Sequence, residues 1–249
     1  VIEKRSSLTL QTPESFSSRF HIDVRTGHEA LSLDSSSKTL RIQDLAAGNI
    51  YTEHYDSLIL APGASPVVPD FVEKPEDPRF FTLNDIPDMD RINDYVNSHN
   101  VKQAIVIGGG FIGVETAENF KKLGFEVHII ELSPQIIAAA DWDMARLAAL
   151  EMLKNGVHLH LNETVKAVRS YNETMQVETD VSAYSADIVV CAVGVRPATA
   201  FLKDSGLVFT SRGAICVNER MQTGISDVYA VGDAVAVKNY LLKTEDYVP

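Results

Sequence analysis

Between residues 101 and 132 the spacing of apolar positions changes period twice. Gln103-Ala104-Ile105-Val106-Ile107 is a short, nearly continuous apolar run, the pattern of a strand buried on both faces. Gly108-Gly109-Gly110 ends it, and Val114, Ala117, Phe120 and Leu123 then recur at helical spacing. Lys121 and Lys122 suit the negative end of that helix's dipole, and Gly124 is the expected C-terminal cap. Residues 125–132 return to a strand pattern, so the stretch predicts a βαβ crossover of about thirty residues.

Downstream, a second helix is predicted over 142–155, capped by Asp141 and stopped by Gly156. Strands are expected near 158–161 and 163–170, and another buried strand over 186–195. Upstream, residues 20–60 carry short runs broken by polar turns: Ile22-Asp23-Val24-Arg25, Thr39-Leu40-Arg41-Ile42 and Ser57-Leu58-Ile59-Leu60. Residues 62–87 hold six of the ten prolines, which argues against regular structure and for a domain crossing. No internal repeat or low-complexity tract is present.

Composition narrows the partners. With 249 residues, 45% of them hydrophobic, the chain can build one large or two ordinary cores. Twenty-two Lys and Arg against 34 Asp and Glu give a formal charge of −12, which repels phosphate backbones and anionic membranes; no nucleic-acid partner is expected. No run approaches the ~18 apolar residues of a membrane span, and no signal segment opens the chain, so a cytoplasmic protein with no membrane partner is expected. Cys191 and Cys216 sit singly in apolar segments and read as structural thiols. The Asn-x-Thr triplets at Asn162 and Asn172 read as chance. His158 and His160 share one strand face, but without a third ligand a solvated face is the expected reading and no metal is assigned. The chain opens on Val1 rather than Met and closes without a capping signal, so both ends read as cuts through a longer protein.

The candidate chemistry begins at Gly108-x-Gly110-x-x-Gly113, placed between a buried strand and a helix. The first glycine permits a tight turn, the second lets backbone approach a pyrophosphate, and the third lets helix and strand pack closely. Amides at the helix N-terminus can then receive the anion, which assigns Gly108, Gly109, Gly110, Phe111, Ile112 and Gly113 to a dinucleotide. Glu131 follows 23 residues after Gly108, at a strand end, where a carboxylate accepts ribose hydroxyls and repels a 2′-phosphate. NADH is therefore expected over NADPH. A glycine turn and an acid that bind nothing would need context, spacing and residue type to agree by accident.

Three further strand ends carry less by themselves: Leu58-Ile59-Leu60-Ala61-Pro62-Gly63, Ala192-Val193-Gly194-Val195-Arg196-Pro197 and Val228-Tyr229-Ala230-Val231-Gly232-Asp233. Together with the fingerprint, and in this order, they resemble the flavoprotein pyridine nucleotide-disulfide oxidoreductases, most of all the coenzyme A-disulfide reductases and their NADH oxidase relatives. The stretches Arg25-Thr26-Gly27-His28-Glu29-Ala30, Phe81-Thr82-Leu83 and 217–223 add to the likeness, which covers nearly the whole chain.

The resemblance implies FAD as well as NAD(P)H. It places Ala61, Pro62, Gly63, Gly232 and Asp233 in the FAD domain, with Asp233 accepting from a ribityl hydroxyl. It puts Glu115 near the nicotinamide, with Val193 and Gly194 lining its ring. Pro62 departs from the Ala-Thr-Gly usual in the wider superfamily, removing a hydroxyl and a backbone donor. The implied fold is α/β, a Rossmann-like NAD(P)-binding domain (91–220) inserted in an incomplete FAD-binding domain (1–90 and 221–249). The implied reaction passes hydride from NAD(P)H to FAD and on to a small disulfide such as coenzyme A disulfide, to oxygen or to peroxide, in a parent that is a homodimer. The redox cysteine of the family would lie upstream of Val1, so no catalytic residue is assigned within the chain. The alternative is an isolated dinucleotide-binding module without turnover.

Overall fold

The computed structural model describes residues 10–241 and the backbone at 245–246. The chain packs as two units: one is Pro66–Val195, and the other comprises the described residues up to Ser65 and from Arg196 onward.

The middle unit is built on a five-stranded parallel sheet in the order Phe80–Thr82, Ile188–Cys191, Gln103–Ile107, Glu126–Glu131, Val157–Leu161. Along its central strand the side chains alternate between two apolar clusters. Ala104 and Val106 face Ala117 and Phe120 of the helix Phe111–Lys122, with Ile92 of the helix Ile86–Ser98 and Met152 of the helix Trp142–Lys154 in the same cluster. Ile105 and Ile107 face Val168, Met175 and Val177, from an antiparallel sheet formed by Val165–Tyr171, Thr174–Thr179 and Ala183–Ala186. Both faces of the parallel sheet are thus covered, which is why Gln103–Ile107 reads as a continuous apolar run rather than an alternating one. The architecture is α/β with a parallel, Rossmann-type core.

The flanking unit carries an antiparallel meander, His28–Asp34, Thr39–Asp44 and Ile50–His54, and a parallel pair, Leu58–Leu60 with Val228–Ala230. Its core gathers Leu33, Leu60, Leu202, Leu207, Ile215 and Val228. The helix Pro13–Phe20 starts with a capping box at Thr12 and buries no residue.

Several elements depart from expectation for identifiable reasons. The units divide at 65/66 and 195/196, where domain limits near 90 and 220 were expected. The proline-rich stretch contributes to the middle core: Val168 N–H donates to Phe71 O at 2.8 Å and Phe80–Thr82 adds an edge strand. At the other end, Leu202, Leu207 and Ile215 belong to the flanking core. Ile22–Arg25 is not a strand; its alternation reflects charge, since Arg25 Nε donates to Asp23 at 2.8 Å and Arg25 Nη1 to Glu53 at 2.6 Å. The helix Ile86–Ser98 went unforeseen although Asp85 caps it by accepting the Asp88 N–H at 2.8 Å. The expected strand over 186–195 is shorter, Ile188–Cys191, because the chain turns out of the sheet through Gly194 at φ +129°. Asp141 stands at the N-cap position of its helix without a side-chain cap bond.

Candidate functional site

The glycine loop follows from the strand below it. Gly108 sits at φ +105°, and its N–H donates to Ile130 O at 2.8 Å, so the turn is tied to the neighbouring strand. A Cβ on Gly108 would lie 2.4 Å from Ala192 O, and one on Gly113 would lie 2.0 Å from Gly108 O. Both obstacles are backbone, which cannot move aside as a side chain could. Gly109 is crowded by Ile136 and by the Glu131 side chain. Gly110 differs: nothing of the protein lies within 4 Å of where its Cβ would stand. Two glycines therefore serve packing, and the second of the fingerprint leaves open room beside exposed backbone.

That room belongs to a cleft of about 430 Å³ in the middle unit, lined by Gly108, Gly110, Glu131, Leu132, Val193 and Gly194 among others. The helix Phe111–Lys122 begins at its rim, with Gly110 as an N-cap that supplies no side-chain bond. Its first amides and dipole make the rim favourable for an anion.

Glu131 is held from two sides. Its Oε2 accepts the Gly109 N–H at 2.5 Å and its Oε1 accepts the Ser133 N–H at 2.7 Å. Two bonds leave an ionised carboxylate with acceptor capacity for hydroxyls. Residues 132–137, Leu-Ser-Pro-Gln-Ile-Ile, bring no cation beside it. These features fit a dinucleotide: a cradle at Gly110 that a Cβ would fill, a helix N-terminus for phosphate and an acceptor for ribose.

The structure sorts the remaining expected residues. Val193 and Gly194 line the cleft, whereas Phe111 (64% exposed), Ile112 and Glu115 lie on the exposed side of the helix and outside its lining. Glu163 was missed: it is buried, lines the cleft, accepts the Thr179 hydroxyl at 2.6 Å, and donates its N–H to Glu131 O at 3.0 Å. Pro69 and Phe71 also line the cleft, from a stretch that reads as a linker. Periodicity carries no signal for either; only the folded positions expose them.

In the flanking unit Ala61-Pro62-Gly63 and Gly232-Asp233 come together at the C-terminal ends of two neighbouring parallel strands. Val231 N–H donates to Leu60 O at 2.9 Å, and Gly63 and Gly232 both take positive φ, +69° and +76°. Asp233 is exposed, and neither glycine has protein within 4 Å of its Cβ position. Carboxyl ends of strands are where open α/β sheets take ligands.

Cys191 lies in the sheet core at 2% exposure, and burial pushes its thiol up to about 11. Such a thiol is a poor nucleophile at neutral pH. His158 and His160 have more company than expected: His128, on the adjacent strand, stacks on His158 at 4.6 Å between ring centres, and its Nδ1 lies 2.9 Å from His160 Nε2. Burial and the neighbouring histidines push the His128 imidazole down.

A family model described as pyridine nucleotide-disulphide oxidoreductase matches residues 2–245. The NADH oxidase of Methanocaldococcus jannaschii is 32% identical over 242 residues, 97% of this chain and 53% of that protein. The coenzyme A disulfide reductase of Staphylococcus aureus is 31% identical over 240 residues, 96% of this chain and again 53% of the relative. Among solved structures, reduced Bacillus anthracis CoADR-RHD superposes with a TM-score of 0.94 at 36% identity, covering 100% of this chain and 44% of that one. The chain thus spans about half the length of the curated relatives it matches. Among the described residues no helix is long and apolar enough to cross a membrane.

Proposed function

The chain belongs to the pyridine nucleotide-disulphide oxidoreductase family, and from that membership we propose that its middle unit binds NADH while its flanking unit contributes to an FAD site. The observation that carries this reading is the contrast among the glycines: Gly108 and Gly113 are closed in by backbone, while Gly110 faces open room in the cleft.

In this reading the pyrophosphate lies over Gly110 and is met by amides of the first turn of Phe111–Lys122. Glu131, already oriented by Gly109 and Ser133, accepts hydroxyls of the adenosine ribose. A phosphate on that ribose would meet a carboxylate with no cation in the following segment, which favours NADH over NADPH. Val193 and Gly194 form the wall against which the nicotinamide end is laid. Asp233 and the Ala61-Pro62-Gly63 turn hold polar parts of FAD. The bound cofactors supply the redox chemistry, NADH giving a hydride and FAD passing electrons to a small disulfide, oxygen or peroxide. The protein's part is orientation and electrostatics. Neither Cys191, with its raised thiol, nor Cys216 is assigned a redox role.

Calorimetric titration of the chain with NADH and with NADPH tests the proposal, alongside a visible absorption spectrum for flavin. NADH is expected to bind more tightly than NADPH, and Glu131→Gln to narrow the difference. Equal affinity for the two, or binding of neither, would overturn the assignment of the middle unit.

A further inference from the structure

The strand Val157–Leu161 ends the parallel sheet, and it faces its neighbour Glu126–Glu131 through an unusual set of side chains. His128 and His158 are direct register partners across the two strands. Glu126 lies two residues before His128 and so projects from the same face. Glu126 Oε1 lies 3.5 Å from His128 Nε2 and 3.8 Å from His158 Nε2, and one ligand atom from each of the three falls within 4.8 Å of the others.

We propose that Glu126, His128 and His158 bind a borderline divalent transition ion, with Zn(II) as its representative. Two imidazole nitrogens and one carboxylate oxygen are the donor set of such ions rather than of Mg(II) or Ca(II). Bonds of about 2.0–2.2 Å in tetrahedral geometry place ligand atoms roughly 3.3 Å apart, so the observed separations need only a small closing of side chains. Glu126 and His158 are half exposed, at 48% and 53%, which gives them freedom to close and leaves a position for water.

A second observation supports the site, because the neighbours prepare the ligands. Gln103 Nε2 donates to Glu126 Oε2 at 2.9 Å, leaving Oε1 turned toward the two imidazoles. His128 Nδ1 lies 2.9 Å from His160 Nε2, and His160 Nδ1 lies 3.1 Å from the Tyr184 hydroxyl. If each imidazole carries its proton on Nδ1, His128 donates to His160 and His160 to Tyr184. The Nε2 lone pair of His128 then stays free for the ion. Outer partners of this kind fix tautomer and ring orientation in metal sites. Glu163, buried and 3.6 Å from His160 Nδ1, closes the chain with negative charge. Glu126, Gln103, the histidines, Tyr184 and Glu163 all belong to the middle unit.

The test is titration of the whole chain, without a histidine tag and after chelator dialysis, with Zn(II) by calorimetry and with Co(II) by visible absorption. One equivalent is expected to bind, with cobalt bands of low coordination number and a rise in melting temperature. His158→Ala, at an exposed position that leaves the core intact, is expected to abolish this binding, and Glu126→Gln to weaken it while keeping its shape. His160→Gln should weaken it roughly 10- to 100-fold, as loss of an outer-shell partner does. His54→Ala, on the flanking unit, should bind as the parent chain does. Failure of the parent chain to bind one equivalent, or unchanged binding by His158→Ala, would overturn the proposal.

Discussion

The two units pose the same local problem, a glycine turn at the end of a parallel strand, and confine it to different degrees. In the middle unit the turn grows from the centre of a five-stranded sheet covered on both faces, and backbone atoms stand where side chains of Gly108 or Gly113 would be. In the flanking unit Leu58–Leu60 pairs with Val228–Ala230 in a two-stranded sheet, Ile59 is 67% exposed, and the turns at Gly63 and Gly232 face open space. The glycine turn is thus shaped by packing in the first case. In the second it depends on positive φ and on bonds such as Val231 N–H to Leu60 O and Ala198 N–H to Gly63 O.

Glycine substitutions exploit this difference most directly. Gly113→Ala puts a methyl 2.0 Å from a carbonyl oxygen, so it should lower stability by at least the ~1–3 kcal/mol of an overpacked core and abolish NADH binding together. Gly110→Ala meets nothing, so its melting temperature should match the parent while NADH affinity falls; a variant that still binds would mean the pyrophosphate does not approach there. Gly63→Ala and Gly232→Ala should cost roughly 1–2 kcal/mol, from left-handed backbone alone. If they prove as damaging as Gly113→Ala, the flanking turns are more confined than their surroundings show.

Glu131→Gln sharpens the comparison at the ligand. A hydrogen bond to a charged group contributes about 1.5–3 kcal/mol, so NADH affinity should drop about ten- to hundredfold by calorimetry, with a smaller loss for NADPH.

How much of this was legible in the sequence follows the same division. The βαβ unit could be read because a run buried on both faces, three spaced glycines and a strand-end acid are local signals with local causes. Glu163, Phe71 and Pro69 could not, since they reach the cleft through tertiary packing that no period records. The triplets at Asn162 and Asn172 gave no sign of their role: both asparagines take left-handed backbone, φ +56° and +50°, and serve turns between strands. His128 and Glu126 were overlooked beside His158 because these parallel strands place residues 30 apart side by side, and only the register reveals it.

Charge pairs extend the contrast to pH. In the middle unit the Arg79 guanidinium donates to Asp77 from Nε at 2.8 Å and from Nη2 at 2.7 Å, and its Nη1 donates to Asn172 O and Thr174 O. Arg79, with the Ser170 hydroxyl, holds the Asp77 carboxyl well below the usual range. A depressed folded pKa contributes stability that is complete above the unfolded value, about 3.9, and is lost as pH falls through the folded one. Urea midpoints should therefore fall between pH 5 and pH 2, and Asp77→Asn should flatten that fall. In the flanking unit Lys38–Asp227 and Arg25–Glu53 are 42–47% exposed, so salt should screen them and their removal should shift the midpoint little.

The smallest effect is a rate rather than a loss. Cys191 lies in the middle sheet with its thiol pushed up to about 11, whereas Cys216, in the flanking unit, is only half-buried. The thiolate is the reactive form, so at pH 8 only about a thousandth of Cys191 would be competent even if reagent could reach it. Labelling of the native chain with an aromatic disulfide should show two phases: a faster one lost in Cys216→Ala and a slow one lost in Cys191→Ala. A slow phase that tracks the closed state should quicken about tenfold from pH 8 to pH 9, as the thiolate fraction does. If opening of the sheet limits it instead, its rate should level off with reagent concentration and yield the opening rate of the middle unit. Should Cys191 react as fast as Cys216, the parallel sheet opens as readily as the flank, and confinement by packing would no longer explain why its glycine turn holds its shape.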